Sequence, residues 1–196
     1  MKTKNIAVLV SGGGTNLQAI IDAYKAGKIT NGKLALVLSS NEKAYALERA
    51  ANNGIESCVI KKGSNRDEFS NAILAKLEEK SIDIIVLAGF MHILSGEIIK
   101  KYENKILNVH PALIPSFCGE GFYGLHVHEA ALAKGVKVTG ATAHLVNEIT
   151  DGGKILMQKA VAINDDDTPE SLQKRVMEEA EWIILPEAVE MVCASF

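Results

Sequence analysis

The feature that most limits the fold is an alternation of short apolar runs, each of strand length, with segments of helical periodicity. The runs are Ile6-Ala-Val-Leu-Val10, Leu34 to Leu38, Ile55 to Ile60, Ile82 to Ala88, and a fifth that begins at Ile106. Unbroken apolar character over so few residues is the pattern of strands buried on both faces of a sheet. Between them, Leu17, Ile20, Ile21 and Tyr24 recur at helical spacing, as do Ala46, Leu47 and Ala50, and then Phe69, Ile73 and Leu77. Ile98, Ile99 and Tyr102 mark a shorter helix. Gly27 and Gly54 are natural helix stops, Asn41 reads as the cap of the second helix, and Asn65 with Glu68 reads as a capping box. Strands and helices that alternate in this way build right-handed crossovers and a parallel sheet.

Past His110 the pattern changes. A loop containing Gly, Pro and aromatic residues runs from Pro111 to Gly124, and a helix follows up to Lys134, before Gly135. Val138 to Val146 and Ile155 to Ile163 then read as two strands joined at Asp151-Gly152-Gly153, a hairpin-like pair. Thr168-Pro169-Glu170 starts a last helix with a cap, a first-turn proline and an acid at the positive end, and Pro186 is expected to kink or break it. The expected fold is α/β, a Rossmann-like parallel sheet in the N-terminal half extended by antiparallel strands in the C-terminal half. One domain, 1–196, is expected, with lobes 1–110 and 111–196.

Composition excludes several roles. Hydrophobic residues make up 47% of the 196 and charged residues 23%, as in ordinary globular proteins. A formal net charge of −3 does not suit a nucleic-acid surface, which needs concentrated basic charge. Apolar runs are too short for a membrane span or a signal peptide core, so no membrane partner is expected. Cys58, Cys118 and Cys193 are far apart and form no C-x-x-C pair, which points to reduced thiols and a cytoplasmic protein.

Two stretches carry chemistry. Ser11-Gly-Gly-Gly-Thr15-Asn16 joins a buried strand to a helix, so its backbone can approach an anion while the first-turn N–H groups face it. Leu17 stands where the dinucleotide fingerprint needs Gly, and no Gly-Lys-Ser/Thr follows, so a phosphate is favoured over a dinucleotide or a nucleoside triphosphate. A tight turn without a ligand is the plain alternative. The second stretch is Ile106-Leu-Asn108-Val-His110-Pro111. Alternation puts Asn108 and His110 on one face of a strand that Pro111 should end, at the carboxyl edge where open α/β sheets bind ligands. A lone histidine at a strand end is more often structural, but with Asn108 on the same face and Pro111 next to it the reading shifts: an amide can donate to a developing oxyanion and an imidazole can move a proton near neutral pH. Asp151 is a candidate to orient that histidine and raise its pKa, but an Asp before Gly is often only turn chemistry. Met91-His-Ile-Leu94, after Gly89-Phe90, would suit a flat aromatic ligand near the same edge. His144 alternates with Thr142 and Val146 and could face core or site. Metal readings fail: His126 and His128 point to opposite sides of a helix, and Asn164-Asp-Asp-Asp167 lacks the spacing of a calcium loop.

Ser-Gly-Gly-Gly-Thr-Asn-Leu (11–17), Leu-Ala-Gly-Phe-Met (87–91), Asn-Val-His-Pro-Ala-Leu-Ile-Pro (108–115), Gly-Leu-His-Val-His (124–128) and Asp-Gly-Gly (151–153) occur in an order that resembles the phosphoribosylglycinamide formyltransferase family, from about Ile6 to Pro186. The resemblance implies transfer of the formyl group of 10-formyltetrahydrofolate to the amine of glycinamide ribonucleotide, in purine biosynthesis and without a metal. It implies that Asn108 and His110 are the oxyanion-binding and proton-transferring pair, and that Asp151 holds the histidine. By the same resemblance, Gly14, Thr15 and Asn16 hold the ribonucleotide phosphate, and Glu181 contacts the ribose. Arg66, Met91, His92, Ile93 and Leu94, with Asn147, Glu148, Ile149, Thr150 and Asp151, match the folate side. The lobes then become nucleotide-binding (1–110) and folate-side (111–196), and a homodimer is compatible with the pattern.

This sequence departs from the family in three places. His92 stands where many relatives have arginine, the loop Ser116 to Tyr123 is longer than in shorter relatives, and the spacing from Arg175 to Pro186 is one residue longer. Two other readings compete: a formyltransferase acting on methionyl-tRNA or a formylfolate hydrolase, for whose usual extra domain 196 residues leave no room, and a non-catalytic nucleotide- or folate-binding module.

Overall fold

The computed structural model describes residues 3–196. Its elements are β1 (Lys4–Val10), α1 (Thr15–Lys25), β2 (Gly32–Ser39), α2 (Tyr45–Asn52), β3 (Ser57–Val59), α3 (Arg66–Glu79), β4 (Ile84–Leu87), α4 (Glu97–Lys101), β5 (Ile106–His110), α5 (Leu125–Lys134), β6 (Val138–Leu145), β7 (Ile155–Ala162), α6 (Pro169–Val176) and α7 (Trp182–Ala194). The strands form one seven-stranded sheet in the order β3-β2-β1-β4-β5-β6-β7. Pairing is parallel from β3 through β5 and antiparallel for β6 and β7, as the sequence pattern predicts.

The apolar runs are buried on both faces because alternate side chains enter different layers. Ile6, Val8 and Val10 join the cluster under α1, α2 and α7, which includes Ile20, Ala46 and Leu185. Ala7 and Leu9 join the other, with Phe69, Ile73 and Ile98 from α3 and α4. Each fully buried aliphatic side chain contributes roughly 1.5–3 kcal/mol. Because β2 lies on one side of β1 and β4 on the other, the chain reverses its direction of travel between β1 and β4. The crevice at their carboxyl ends is the usual ligand position in such a sheet.

Local expectations differ from the structure at several points. The third strand shrinks to Ser57–Val59, since it pairs only with β2 while the Ile55 N–H still bonds back to Ala50 at the end of α2. Asn41 does not cap α2. Its Oδ1 accepts the Lys43 N–H at 2.9 Å in the preceding turn, and Ala44 is the capping residue. Asn65 does cap α3, accepting from Asp67 N at 2.8 Å and Glu68 N at 3.3 Å, but the Glu68 carboxylate answers to the Asn65 side chain and not to its backbone. Thr168 opens α6 with a capping box closed by Ser171. Pro186 does not break the last helix. The chain is helical through it, and a π turn, Met177–Glu181, lies upstream between α6 and α7. A π turn closes its hydrogen bonds one residue further on than an α turn.

Candidate active site

The crevice opens into a cavity of about 610 Å³ lined from six parts of the chain: 12–16, 87–94, 108–111, 119–124 with His128, 144–151 (Leu145 aside), and Gln173, Met177 and Glu181. At one end stands the glycine turn. Gly14 caps α1 with φ of 72°, and a Cβ there would lie 2.6 Å from the Ala46 Cβ, so the loop and α2 meet as only glycine allows. The Ala46 N–H donates to the Gly12 carbonyl and the Arg49 Nε–H to that of Gly13 (2.9 Å), which pins the turn from behind. No side chain caps α1, and Thr15 and Asn16 of its first turn line the cavity. That is the geometry of an anion site.

Asn16 reaches across to the π turn, donating from Nδ2 to Glu181 Oε2 at 2.7 Å. Burial pushes the Glu181 carboxyl up to about 6 despite the opposing pull of this hydrogen bond. Among the described residues, Oδ1 of Asn16 has no hydrogen-bond partner. The π turn thus delivers Glu181 to the glycine turn from far along the chain.

At the rim made by β5, Asn108, His110 and Asp151 come together. Asp151 adopts φ of 54°. It is held by the turn behind it, where a Cβ on Gly153 would stand 1.7 Å from the Leu145 carbonyl oxygen, so the chain folds flat against the end of β6. The Asp151 Oδ2 accepts the Gly119 N–H at 2.9 Å and lies 3.7 Å from His110 Nδ1, while Oδ1 lies 3.5 Å from His144 Nε2. Burial alone would raise the Asp151 carboxyl, but the His144 contact, the Gly119 N–H and the two imidazoles together hold it below its ordinary value. It is therefore ionised at neutral pH.

His110 donates from Nε2 to the Phe117 carbonyl at 2.7 Å. Asp151 does pull the His110 pKa upward, as expected, but the net shift runs the other way. Burial pushes the imidazole below its ordinary value, outweighing the Phe117 carbonyl and the carboxylate. At 3.7 Å, Asp151 acts on the ring as a charge and not as a hydrogen-bond acceptor.

Met91, His92, Ile93, Leu94, Asn147, Glu148, Ile149 and Thr150 line the same cavity. Met91, Ile93 and Ile149 are exposed there (54%, 55% and 69%), an apolar mouth with no covering protein side. His92 packs edge-on to Phe69 and Phe90 at centroid distances of 5.3 and 5.4 Å, and burial with the Lys62 charge pushes its pKa down. Arg66 is the exception. It is exposed in the first turn of α3 and does not line the cavity.

Sequence reasoning passed over three contributors and left a fourth open. The Phe117 carbonyl and Gly119 N–H belong to the long loop, which closes over His110 and Asp151, and backbone groups leave no signature in residue type. His128 is fully buried and lines the cavity with neither ring nitrogen partnered among the described residues. Burial and the nearby His110 push it down to about 4, so it is neutral. His126, by contrast, is exposed and paired with Glu129, as opposite sides of α5 require. His144, open between core and site, faces the site. Among the described residues, no three His, Cys, Asp or Glu side chains are gathered as a metal site needs.

An amide, an imidazole and a carboxylate at the carboxyl edge of this sheet define a class of protein, and a sequence model of the formyl transferase family matches residues 4–189; the chain belongs to that family. Its particular relatives are narrower. It is 42% identical to the phosphoribosylglycinamide formyltransferase of Haemophilus influenzae over 185 residues, 93% of this chain and 84% of that one. The crystal structure of glycinamide ribonucleotide transformylase 1 from Symbiobacterium toebii is similar with a TM-score of 0.91 at 38% identity, covering 98% of this chain and 88% of that one. The chain is also 44% identical over 195 residues, 98% of its length, to the trifunctional purine biosynthetic protein adenosine-3 of Homo sapiens, of which it spans only 19%.

Proposed function

We propose that the protein transfers the formyl group of 10-formyltetrahydrofolate to the amine of glycinamide ribonucleotide, a step of purine biosynthesis. The observation that carries this reading is the convergence of Asn108, His110 and Asp151 in one cavity with the glycine turn. A volume of about 610 Å³ is that of a small-molecule site. Gly14, Thr15 and Asn16 hold the ribonucleotide phosphate at the N-terminus of α1, and Glu181 accepts from ribose hydroxyls. The folate lies against Met91, His92, Ile93, Leu94 and the segment Asn147, Glu148, Ile149 and Thr150. Arg66, outside the cavity, is left for the anionic tail of the folate. The division into a nucleotide-binding part, 1–110, and a folate-side part, 111–196, follows the glycine turn and the 147–151 segment, while Met91 to Leu94 and Glu181 cross it.

Attack of the amine on the formyl carbon puts negative charge on the formyl oxygen. Asn108 donates to that oxygen from a fixed position, an effect worth roughly 3–4 kcal/mol per donor. His110 takes the proton of the attacking amine and passes it to the leaving folate nitrogen. The imidazolium formed on the way is held by the ionised Asp151, and burial makes it a stronger acid than free histidine, which favours the second transfer. For this, substrate takes the place of the Phe117 carbonyl at Nε2 and the ring proton moves to Nδ1, on the side of Asp151, which leaves Nε2 bare to accept. No metal, nucleic acid or membrane takes part, and we place the protein in the cytoplasm, in keeping with its three free cysteines.

The test is formyl transfer by the purified protein with glycinamide ribonucleotide and 10-formyltetrahydrofolate. Transfer that needs both substrates is expected. Release of formate at the same rate without the amine, or no turnover at all, would overturn the reading.

A further inference from the structure

We propose that His144 is a positioning residue that locks the orientation of the Asn108 side-chain amide, so that one of its two protons is always free for the reacting oxygen. The inference deepens the formyl-transfer reading and rests on it for what the free proton does.

The sheet itself brings the two side chains together. In the antiparallel pairing of β5 with β6, Asn108 lies directly opposite His144, and directly opposed residues on one face are within side-chain reach. On the other edge of β6 the register with β7 shifts between Ala143 and His144: Ala143 pairs with Met157 and His144 with Ile155, leaving Leu156 extra. Such irregularities re-aim a side chain, and they recur beside active sites. His144 is 1% exposed, so its ring must find partners inside the protein.

Those partners dictate the tautomer. His144 Nδ1 lies 3.0 Å from the carbonyl of Leu145, which can only accept, so Nδ1 carries the proton. Nε2 lies 3.1 Å from Asn108 Nδ2, which can only donate, so Nε2 is bare. Turning the amide over would set Oδ1 against the Nε2 lone pair. One Nδ2 proton is therefore spent on His144 and the other remains available. The Asp151 Oδ1 would need a proton on Nε2, but at 3.5 Å it stands farther off than Asn108 at 3.1 Å, and the Gly119 N–H goes to the other carboxylate oxygen, Oδ2.

The experiment joins kinetics with nitrogen-15 NMR of the histidines in the intact protein. His144→Leu removes the acceptor and is expected to lower kcat about ten- to a hundredfold, with both KM values within about twofold of the parent, because a donor loses its orientation and no substrate contact is lost. His144→Gln, whose Oε1 can accept from Asn108, is expected to recover most of that loss. The NMR spectrum of the parent is expected to show His144 protonated at Nδ1 and bare at Nε2. A parental kcat in the folded Leu variant, a Gln variant as slow as the Leu variant, or a proton on Nε2 would each overturn the proposal. If the parent shows no formyl transfer, the functional reading fails, while the tautomer still tests the Asn108–His144 contact by itself and needs no variant to fold.

Discussion

At one end of the cavity a run of consecutive residues, Gly12 to Asn16, presents backbone N–H groups to whatever anion binds there, and β1 and α2 hold it from behind. At the other end the working groups are side chains brought from separate segments: Asn108 and His110 from β5, His144 from β6, Asp151 from the turn before β7, with the 111–124 loop supplying a carbonyl and an N–H. The contrast lies in what each end depends on. A backbone site tolerates side-chain change but not a Cβ in the wrong place. A convergent side-chain site tolerates neither the loss of a member nor a small displacement of the turn that delivers it.

The largest effects should come from removing a member of the convergent end. His110→Ala and Asp151→Asn are each expected to lower kcat about 10²- to 10⁴-fold, with circular dichroism and thermal midpoint close to the parent. Steady-state kinetics on both variants checks this, and near-parental rates would void the roles assigned above. Next comes the delivery of Asp151. Gly153→Ala would set a Cβ 1.7 Å from the Leu145 carbonyl oxygen, so the turn must open and Asp151 move away. We expect at least a tenfold loss of kcat and about 1–3 kcal/mol of stability by urea denaturation. Gly152→Ala meets Ile149 Cγ2 and Cβ at 2.6 and 2.7 Å, so the turn must shift there too, but by less than against a carbonyl oxygen at 1.7 Å, and should cost less on both counts.

The backbone end is probed by Gly14→Ala, which combines a φ of 72° with a clash at Ala46. Its KM for the ribonucleotide should rise about tenfold while the KM for the folate stays put, with stability lower by about 1–3 kcal/mol. The smallest effect concerns the side chain that ties the glycine turn to the π turn. Glu181 titrates at about 6 when folded against an ordinary value of 4.5. The folded state therefore holds this proton more tightly than the unfolded chain. Its contribution is fully present below about 4.5 and is lost as pH rises to about 6, on the order of 2 kcal/mol in all. Glu181→Gln should remove that fall from a plot of urea midpoint against pH. An unchanged slope would mean that Glu181 is not the buried titrating group.

Legibility followed the same division. The glycine turn, its strand and its helix are contiguous, so period and residue type placed them, and the pair Asn108 and His110 could be put on one face because β alternation is a local rule. Asp151 could be read only as a turn residue with a possible second duty. Its approach to His110 depends on the antiparallel addition of β6 and on Gly153 lying against Leu145. His144 was ambiguous for a related reason: alternation left the face open, and the register opposite Asn108 settles it. Asn41 misled because an Asx turn and a helix cap share the same residue type and differ only in where the helix begins.

By itself, the sequence determined the strand–helix alternation, the mostly parallel sheet with an antiparallel extension, the glycine turn, and the shared face of Asn108 and His110. All of these follow from periodicities and backbone preferences that act over a few residues. Only the tertiary structure decided that Asp151 and His144 complete the rim, that a π turn hands Glu181 to Asn16, that Arg66 stands outside the cavity, and that burial outweighs the carboxylate in setting the acidity of His110. Those outcomes depend on register, on desolvation and on distances between remote segments, none of which is a property of any short stretch of chain.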